Sequence, residues 1–115
     1  ESINVDIRLD GDSKLPADIH IAFYRIAQEA INNVVKHARA RNVIIELTYL
    51  VDEEDQLSGV TLAITDDGRG FRSQEPHPQR LGLGIMRERA ESIKASLEIE
   101  SHPEQGTRIV VKWLK

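Results

Sequence analysis

The hydrophobic and polar positions of this chain change period several times, and each change marks an element. Residues 3–9, INVDIRL, alternate apolar and polar, as a half-buried strand does. GDSKLP then reads as a turn, with Pro16 placed as an early helix residue, where its missing N–H does no harm. From Ala17 to Ala38 the period becomes helical. Ile19, Phe23, Ile26, Ala30 and Val34 recur at spacings of three and four, as one buried face requires. NVIIELTYLV, residues 42–51, is β-rich and alternating. DEEDQLSG reads as a polar hairpin loop, and VTLAIT as the next strand. Residues 67–82 hold Gly68, Gly70, Gly82, Pro76 and Pro78 with little periodic hydrophobicity, and are expected to form a mobile loop. Gly84 to Ala95 reads as a helix. LEIES and TRIVVKWL form two last strands around the turn HPEQG. Strands flanked by two helices in this order predict a sheet with its helices on one face.

Composition narrows the possibilities. The 115 residues suit one compact domain, and 40% hydrophobic content supplies a core. A net charge of −4 and a pI near 5.5 argue against a broad basic surface for nucleic acid. The absence of cysteine excludes disulfides, thiolate metal sites and thiol nucleophiles. No apolar run approaches the ~20 residues of a membrane span, and no signal peptide is visible. The first residue is Glu1 and the one methionine is Met86, so a piece of a longer protein is expected.

Several nucleotide and metal motifs fail. GxxxxGK[ST] does not occur, and neither Gly82-Leu83-Gly84 nor Gly68-Arg69-Gly70 completes GxGxxG. HExxH is absent, and His20, His37, His77 and His102 show no metal spacing. A polar column on the long helix is more informative. Glu29, Asn33, Lys36 and His37 fall at i, i+4, i+7 and i+8, the spacing of one α-helical face. A solvated charge stripe is the bland reading. Asn is a poor helix former, however, and Asn32 and Asn33 stand together well inside the pattern. An amide oxygen suits Mg²⁺, and Lys36 could meet phosphate oxygens. The stretch DDGRGF, Asp66 to Phe71, sets two carboxylates and two glycines directly after a strand. Alone it is a plain turn.

Taken with the helix, these stretches resemble the Bergerat ATP-binding fold, and more narrowly the catalytic domain of bacterial sensor histidine kinases. FYRIAQEAINNVVKHARA is similar to that family's asparagine box. DDGRGF is similar to its first glycine box, LGLGIMRERA to its second and EQGTRIVV to its third. All four occur in the family's order and span nearly the whole chain. The Lys-His pair, the GIMRER string and a short lid resemble the nitrate-sensor and desaturase-sensor branch.

The resemblance implies an α+β fold: a two-layer α/β sandwich whose mixed, mostly antiparallel sheet carries helices on one face. Residues 1–115 would be one catalytic, ATP-binding domain. Asp66 would accept a hydrogen bond from the adenine exocyclic amine, with Gly68 and Gly70 letting the backbone approach the base. Asn33 would be the Mg²⁺ ligand, Lys36 and His37 the phosphate contacts, and Glu29 the acid that orients water or assists proton transfer. Gly82 and Gly84 would lead into a helix whose N-terminus favours phosphate, with Arg87 and Arg89 in its first turns. Thr107 would support the adenine pocket. Asp67 stands where many relatives carry asparagine.

The expected ligands are ATP and Mg²⁺. The expected partners are an upstream dimerisation and phosphoacceptor domain and a response regulator, with no nucleic acid and no membrane contact by this domain. A cytoplasmic location is implied, and membrane spans upstream are an expectation from the family alone. The resemblance leaves open a chaperone- or topoisomerase-like ATPase, an anti-sigma serine kinase and a binding module that no longer handles ATP. The first two would use the same pocket for a different acceptor.

Overall fold

A computed structural model describes residues 2–11, 14–70 and 79–115. Strand β1, Asn4–Asp10, runs into helix α1, Ala17–Asn33, which continues as a π-helical turn, Val34–Ala38. Strands β2, Asn42–Val51, and β3, Leu57–Asp66, form a hairpin. Helix α2, Gln79–Ser92, is followed by the hairpin of β4, Ser96–His102, and β5, Gly106–Leu114. Among the described residues the sheet order is β1-β2-β3-β5-β4. The β1–β2 pair is parallel, and the other pairs are antiparallel. α1 supplies the crossover that a parallel pair needs. The expected two-layer architecture is therefore present.

Register and pleat together build the core. Partners across the ladder point to the same side, so the helix-facing side reads as rows. One row is Leu9, Leu47, Leu62, Val111 and Leu97. The next is Ile7, Ile45, Ile64, Ile109 and Ile99. α1 lays Ile19, Phe23, Ile26 and Ala30 over them, α2 adds Met86 and Ala90, and Ile93 follows from the turn after it. These spacings are those that amphipathic helices require. On edge strand β1, Val5, Ile7 and Leu9 lie beyond the helical cover and stay more than half exposed.

The third row changes character. It reads Val5, Val43, Asp66, Thr107 and Ser101. At this end of the sheet the apolar core gives way to polar side chains, on the helix-covered face. This is the feature that positions the site.

Three boundaries differ from the sequence reading. β3 begins at Leu57, because its ladder with β2 continues through a bulge at Leu50 and Val51. α2 begins at Gln79, so Gly82 and Gly84 lie inside the helix and not before it. Arg87 and Arg89 consequently fall in its second half. The long helix also changes type after Asn33, where the π turn begins. Residues 71–78, most of the expected lid, lie outside the described residues.

Ile26 has no exposed surface, and Ile21, on the opposite side of α1, is 55% exposed. Ile26→Ala is expected to reduce unfolding free energy by about 2–5 kcal/mol, against less than about 1 kcal/mol for Ile21→Ala. Urea denaturation of the two variants checks this.

Candidate nucleotide-binding site

A cleft opens where the polar row meets the end of α1. It is lined by Ala30, Asn33 and Val34 from the helix, Ile64 and Asp66 from β3, Thr107 and Ile109 from β5, and Leu83 from α2. Strand alternation explains the composition. Ile64 and Asp66 are two residues apart on one face, as are Thr107 and Ile109. Each strand therefore offers one apolar wall and one polar end. In this conformation the cleft has space for about one water molecule.

Asp66 is 7% exposed and Thr107 6% exposed. Burial pushes the Asp66 carboxyl above the usual carboxylate value, and the charge of Asp67 adds to that. Backbone N–H groups of Gly68 and Thr107 oppose the shift, the Gly68 bond to Oδ1 being 2.8 Å long. Asp67, the next residue, is exposed and serves another purpose. Its Oδ1 accepts from the backbone N–H groups of Arg41 and Asn42 at 2.8 and 2.9 Å, and its Oδ2 from Asn42 Nδ2 at 2.7 Å. Asp67 thereby ties the end of β3 to the turn that follows the π segment. Its carboxyl is held below the ordinary value, first by the Asn42 backbone bond and then by the Asn42 side chain.

Backbone geometry fixes the loop around Asp66. Gly70 and Gly106 have φ of 60° and 86°. A side chain at Gly70 would run into the His102 carbonyl, and one at Gly106 into the Asp66 carbonyl. Only glycine permits both the left-handed φ and the approach. The Glu104 N–H donates to the Arg69 carbonyl at 2.6 Å. The loop after β3 and the β4–β5 hairpin therefore interlock.

On the opposite wall, Asn33 is 8% exposed, and its Nδ2 has no hydrogen-bond partner among the described residues. Gly82 rests directly on it. A Cβ at Gly82 would lie 2.7 Å from both Asn33 Nδ2 and Glu29 Oε1. Glu29 and Asn33 therefore share a face, as their spacing predicts. The column does not extend straight to Lys36. π-helical bonding turns each residue through a smaller angle than α-helical bonding, so the phase shifts after Asn33. Lys36 is exposed; the backbone of His37 lies in the π turn, and its side chain is outside the description. Gly84 is exposed, with nothing within 4 Å of where a Cβ would stand. Its expected role of clearing space beside a helix N-terminus does not fit a position inside α2. Arg87 and Arg89 are exposed, and no ion pair joins either to Glu88 or Glu91.

Arg69 Nε is also buried without a partner among the described residues. No cluster of three His, Cys, Asp or Glu side chains gathers among them. A larger groove of about 200 Å³ lies at the other end of α1, but its lining is apolar except for His20 and the hydroxyls of Tyr24 and Tyr49. Sequence reading had passed over the clamp made by Asp67 and the hydroxyl of Ser101, which lies 2.8 Å from that of Thr107. The Asp67 contacts join positions 25 and 26 residues apart, and the Ser101 contact depends on the register of the β4–β5 hairpin.

A buried carboxylate at the end of a sheet, a glycine-built loop around it and a polar helix across a cleft characterise this α+β domain. The chain belongs to the family described as histidine kinase-, DNA gyrase B-, and HSP90-like ATPase, which matches residues 18–115. It is 43% identical over 101 residues to the sensor protein VraS of Staphylococcus epidermidis, and equally to that of Staphylococcus aureus. These alignments cover 88% of this chain but 27% of each relative, so the chain spans about a quarter of their length. Solved structures share the fold. The blue-light activated histidine kinase of Erythrobacter litoralis superposes with a TM-score of 0.73 at 21% identity, covering 97% of this chain and 35% of that one. The mycobacterial sensor histidine kinase MprB superposes with a TM-score of 0.67 at 20% identity, covering 97% and 81%. Among the described residues no helix is long and apolar enough to cross a membrane.

Two predictions arise here. Gly84→Ala adds a methyl group to open space in a helix and is expected to raise stability by up to about 1 kcal/mol. Gly82→Ala is expected to lower stability and separate α2 from α1, because buried Asn33 has no room to give; thermal melts and circular dichroism compare the two. The second concerns Asp67, whose lowered value makes its ionised form stabilising. That contribution is fully present above the unfolded value, about 4, and is lost as pH falls through the folded value. The melting-temperature gap between wild type and Asp67→Asn should be constant above about pH 5 and close progressively below about pH 4.

Proposed function

We propose that this domain binds Mg-ATP and presents the γ-phosphate to a histidine on a dimerisation domain outside these residues, for relay to a response regulator. The observation that carries this reading is the buried Asp66 carboxylate facing Asn33 across a narrow cleft inside an ATPase-family fold. A carboxylate only accepts hydrogen bonds, so Asp66 selects a base that offers an amine. Gly68 and Gly70 give the base access along the loop, and Thr107 adds a hydroxyl beside the carboxylate. Ala30, Ile64, Leu83 and Ile109 supply the apolar walls that a flat ring requires.

The donors at the other wall fit a magnesium ion held mainly by phosphate oxygens. Mg²⁺ is commonly bound through one or two protein oxygens plus substrate phosphates, and Asn33 Oδ1 is a hard oxygen donor. Its Nδ2 is buried with no partner among the described residues, a donor free to meet a ligand oxygen. Such an ion supplies charge neutralisation across the phosphates. Glu29, beside Asn33, orients water near the metal or takes a proton. Lys36 and His37 follow on the π turn as phosphate contacts, and Gly82 lets α2 ride close over this wall.

Phosphoryl transfer asks a protein mainly for positioning and charge stabilisation, and these residue types provide them. The described histidines His20 and His102 are exposed and line no part of the cleft. In this reading the acceptor histidine lies on the dimerisation domain. The need for ATP places this domain in the cytoplasm. Entry of a base requires the walls to part, since the cleft as it stands has space for about one water molecule.

Calorimetric titration of a non-hydrolysable ATP analogue with Mg²⁺ tests the reading. Wild type is expected to bind with micromolar to sub-millimolar affinity, and Asp66→Asn to lose that binding, because its amide sets a donor against the base's amine. Equal binding by both proteins would move the site elsewhere. No binding by either would leave the fold without this ligand.

A further inference from the structure

Among the described residues β1 is an edge strand, and all seven of its residues are exposed. Natural edges are commonly guarded by a proline, a bulge or charged side chains that repel an incoming strand. β1 has no proline, and its register with β2 is unbroken. Its guards are therefore its charges, Asp6, Arg8 and Asp10, and their order decides what the edge accepts. The backbone fixes which groups are on offer. The Asn4 N–H donates to the Arg41 carbonyl at 2.8 Å. Successive residues of a strand aim their N–H and C=O at opposite edges, so the even-numbered residues of β1 bond to β2. The backbone groups of Val5, Ile7 and Leu9 face the open edge. Their side chains are the exposed apolar row on the helix side of the sheet.

A second β1 laid antiparallel along this edge, with a twofold axis at Ile7, sets Ile7 against Ile7, Val5 against Leu9 and Asp6 against Arg8. The apolar pairs share one face and the charged pairs the other. Asp6 and Arg8 already pair within the strand, Arg8 Nη2 lying 2.9 Å from Asp6 Oδ2. The four charges then alternate in sign around the axis. Other registers lose this. A slip of one residue turns the apolar row to the wrong face. A slip of two sets Asp6 against Asp6, or in the other direction Arg8 against Arg8 and Asp6 against Asp10. Like charges directly opposite are destabilising, so the charges select one register. The other edge behaves oppositely: the same symmetric pairing of β4 about Ile99 sets Glu98 against Glu100.

We propose that β1 is a self-association edge: two copies of this domain pair antiparallel through β1 about Ile7, joining their sheets into one. The contact is isologous, so it closes at a dimer and does not propagate. A single strand edge belongs with the small interfaces, below ~1,200 Å², which are weak and transient. Its exposed ion pairs set register and partner more than strength. β1 lines no part of the nucleotide cleft, so the pairing leaves that cleft open.

Sedimentation equilibrium over a concentration series into the millimolar range tests this. Wild type is expected to dimerise reversibly. Asp6→Arg and Arg8→Asp each set like charges together, and each alone should associate about 10-fold more weakly or not at all. Mixing the two variants should restore association as a heterodimer, because every charge then meets its opposite. The double variant Asp6→Arg/Arg8→Asp should associate with itself as wild type does. Both single variants lose the ion pair within the strand, and mixing cannot regain it, so rescue reports the contact between copies. Amide exchange should slow at Val5, Ile7 and Leu9 as concentration rises, and stay unchanged at Asp6 and Arg8, which bond to β2. A wild type that stays monomeric throughout overturns the proposal. Association that neither variant weakens, or that mixing fails to rescue, overturns it as well and moves the contact to another face. If a single variant lacks a cooperative melt, Ile7→Lys takes its place: it sets two like charges at the axis and should abolish association, and dimerisation equal to wild type would overturn the proposal.

Discussion

Asp66 occupies a position on β3 that the pleat directs into the core, two residues beyond Ile64. Burying a carboxylate there disfavours its charge, and the surrounding chain offsets this with aimed N–H groups. Those groups come from Gly68 and Thr107, so the loop after β3 and the start of β5 must both be in place. Their placement in turn needs left-handed backbone at Gly70 and Gly106, each pressed against a carbonyl of the other segment. Asp67 has the same side chain one residue later and the opposite surroundings. It faces solvent and is held by the turn at Arg41 and Asn42. Burial raises the value of one acid, and hydrogen bonds lower that of its neighbour. Alternation along an extended chain produces both from one dipeptide.

The elements were legible because each rests on local period. Apolar spacing of three and four marks α1, and alternation marks β1, β2 and the last two strands. The four motif stretches also identified the residues that meet at the cleft, since Asp66, Asn33 and Thr107 do line it together. Period failed where packing overrides propensity. Two glycines made the start of α2 look like loop. Yet Leu83, Met86, Ala90 and Ile93 hold a helical stripe against the core, and that stripe carries the helix through Gly82 and Gly84. The π turn was equally invisible, because its residue types are ordinary helix residues and only the bonding pattern differs. The Asp67 clamp joins positions 25 and 26 residues apart, which no local spacing reports.

Gly82 links the stability of the domain to its chemistry. A glycine inside a helix costs about 1 kcal/mol relative to alanine. Here it lets α2 sit against the Glu29 and Asn33 side chains with nothing between them. Beneath that contact Asn33 Nδ2 is buried, with no hydrogen-bond partner among the described residues.

The cleft has two differently built walls. Asp66 and Thr107 stand in register on β3 and β5, and the loop glycines hold that end of the strands in place. Across from them, Leu83 is the lining residue that α2 contributes, and it is half-buried, whereas Met86 and Ala90 further along are sealed in the core. One wall is thus set by backbone pairing between strands, and the other by side chains of two helices packed on each other.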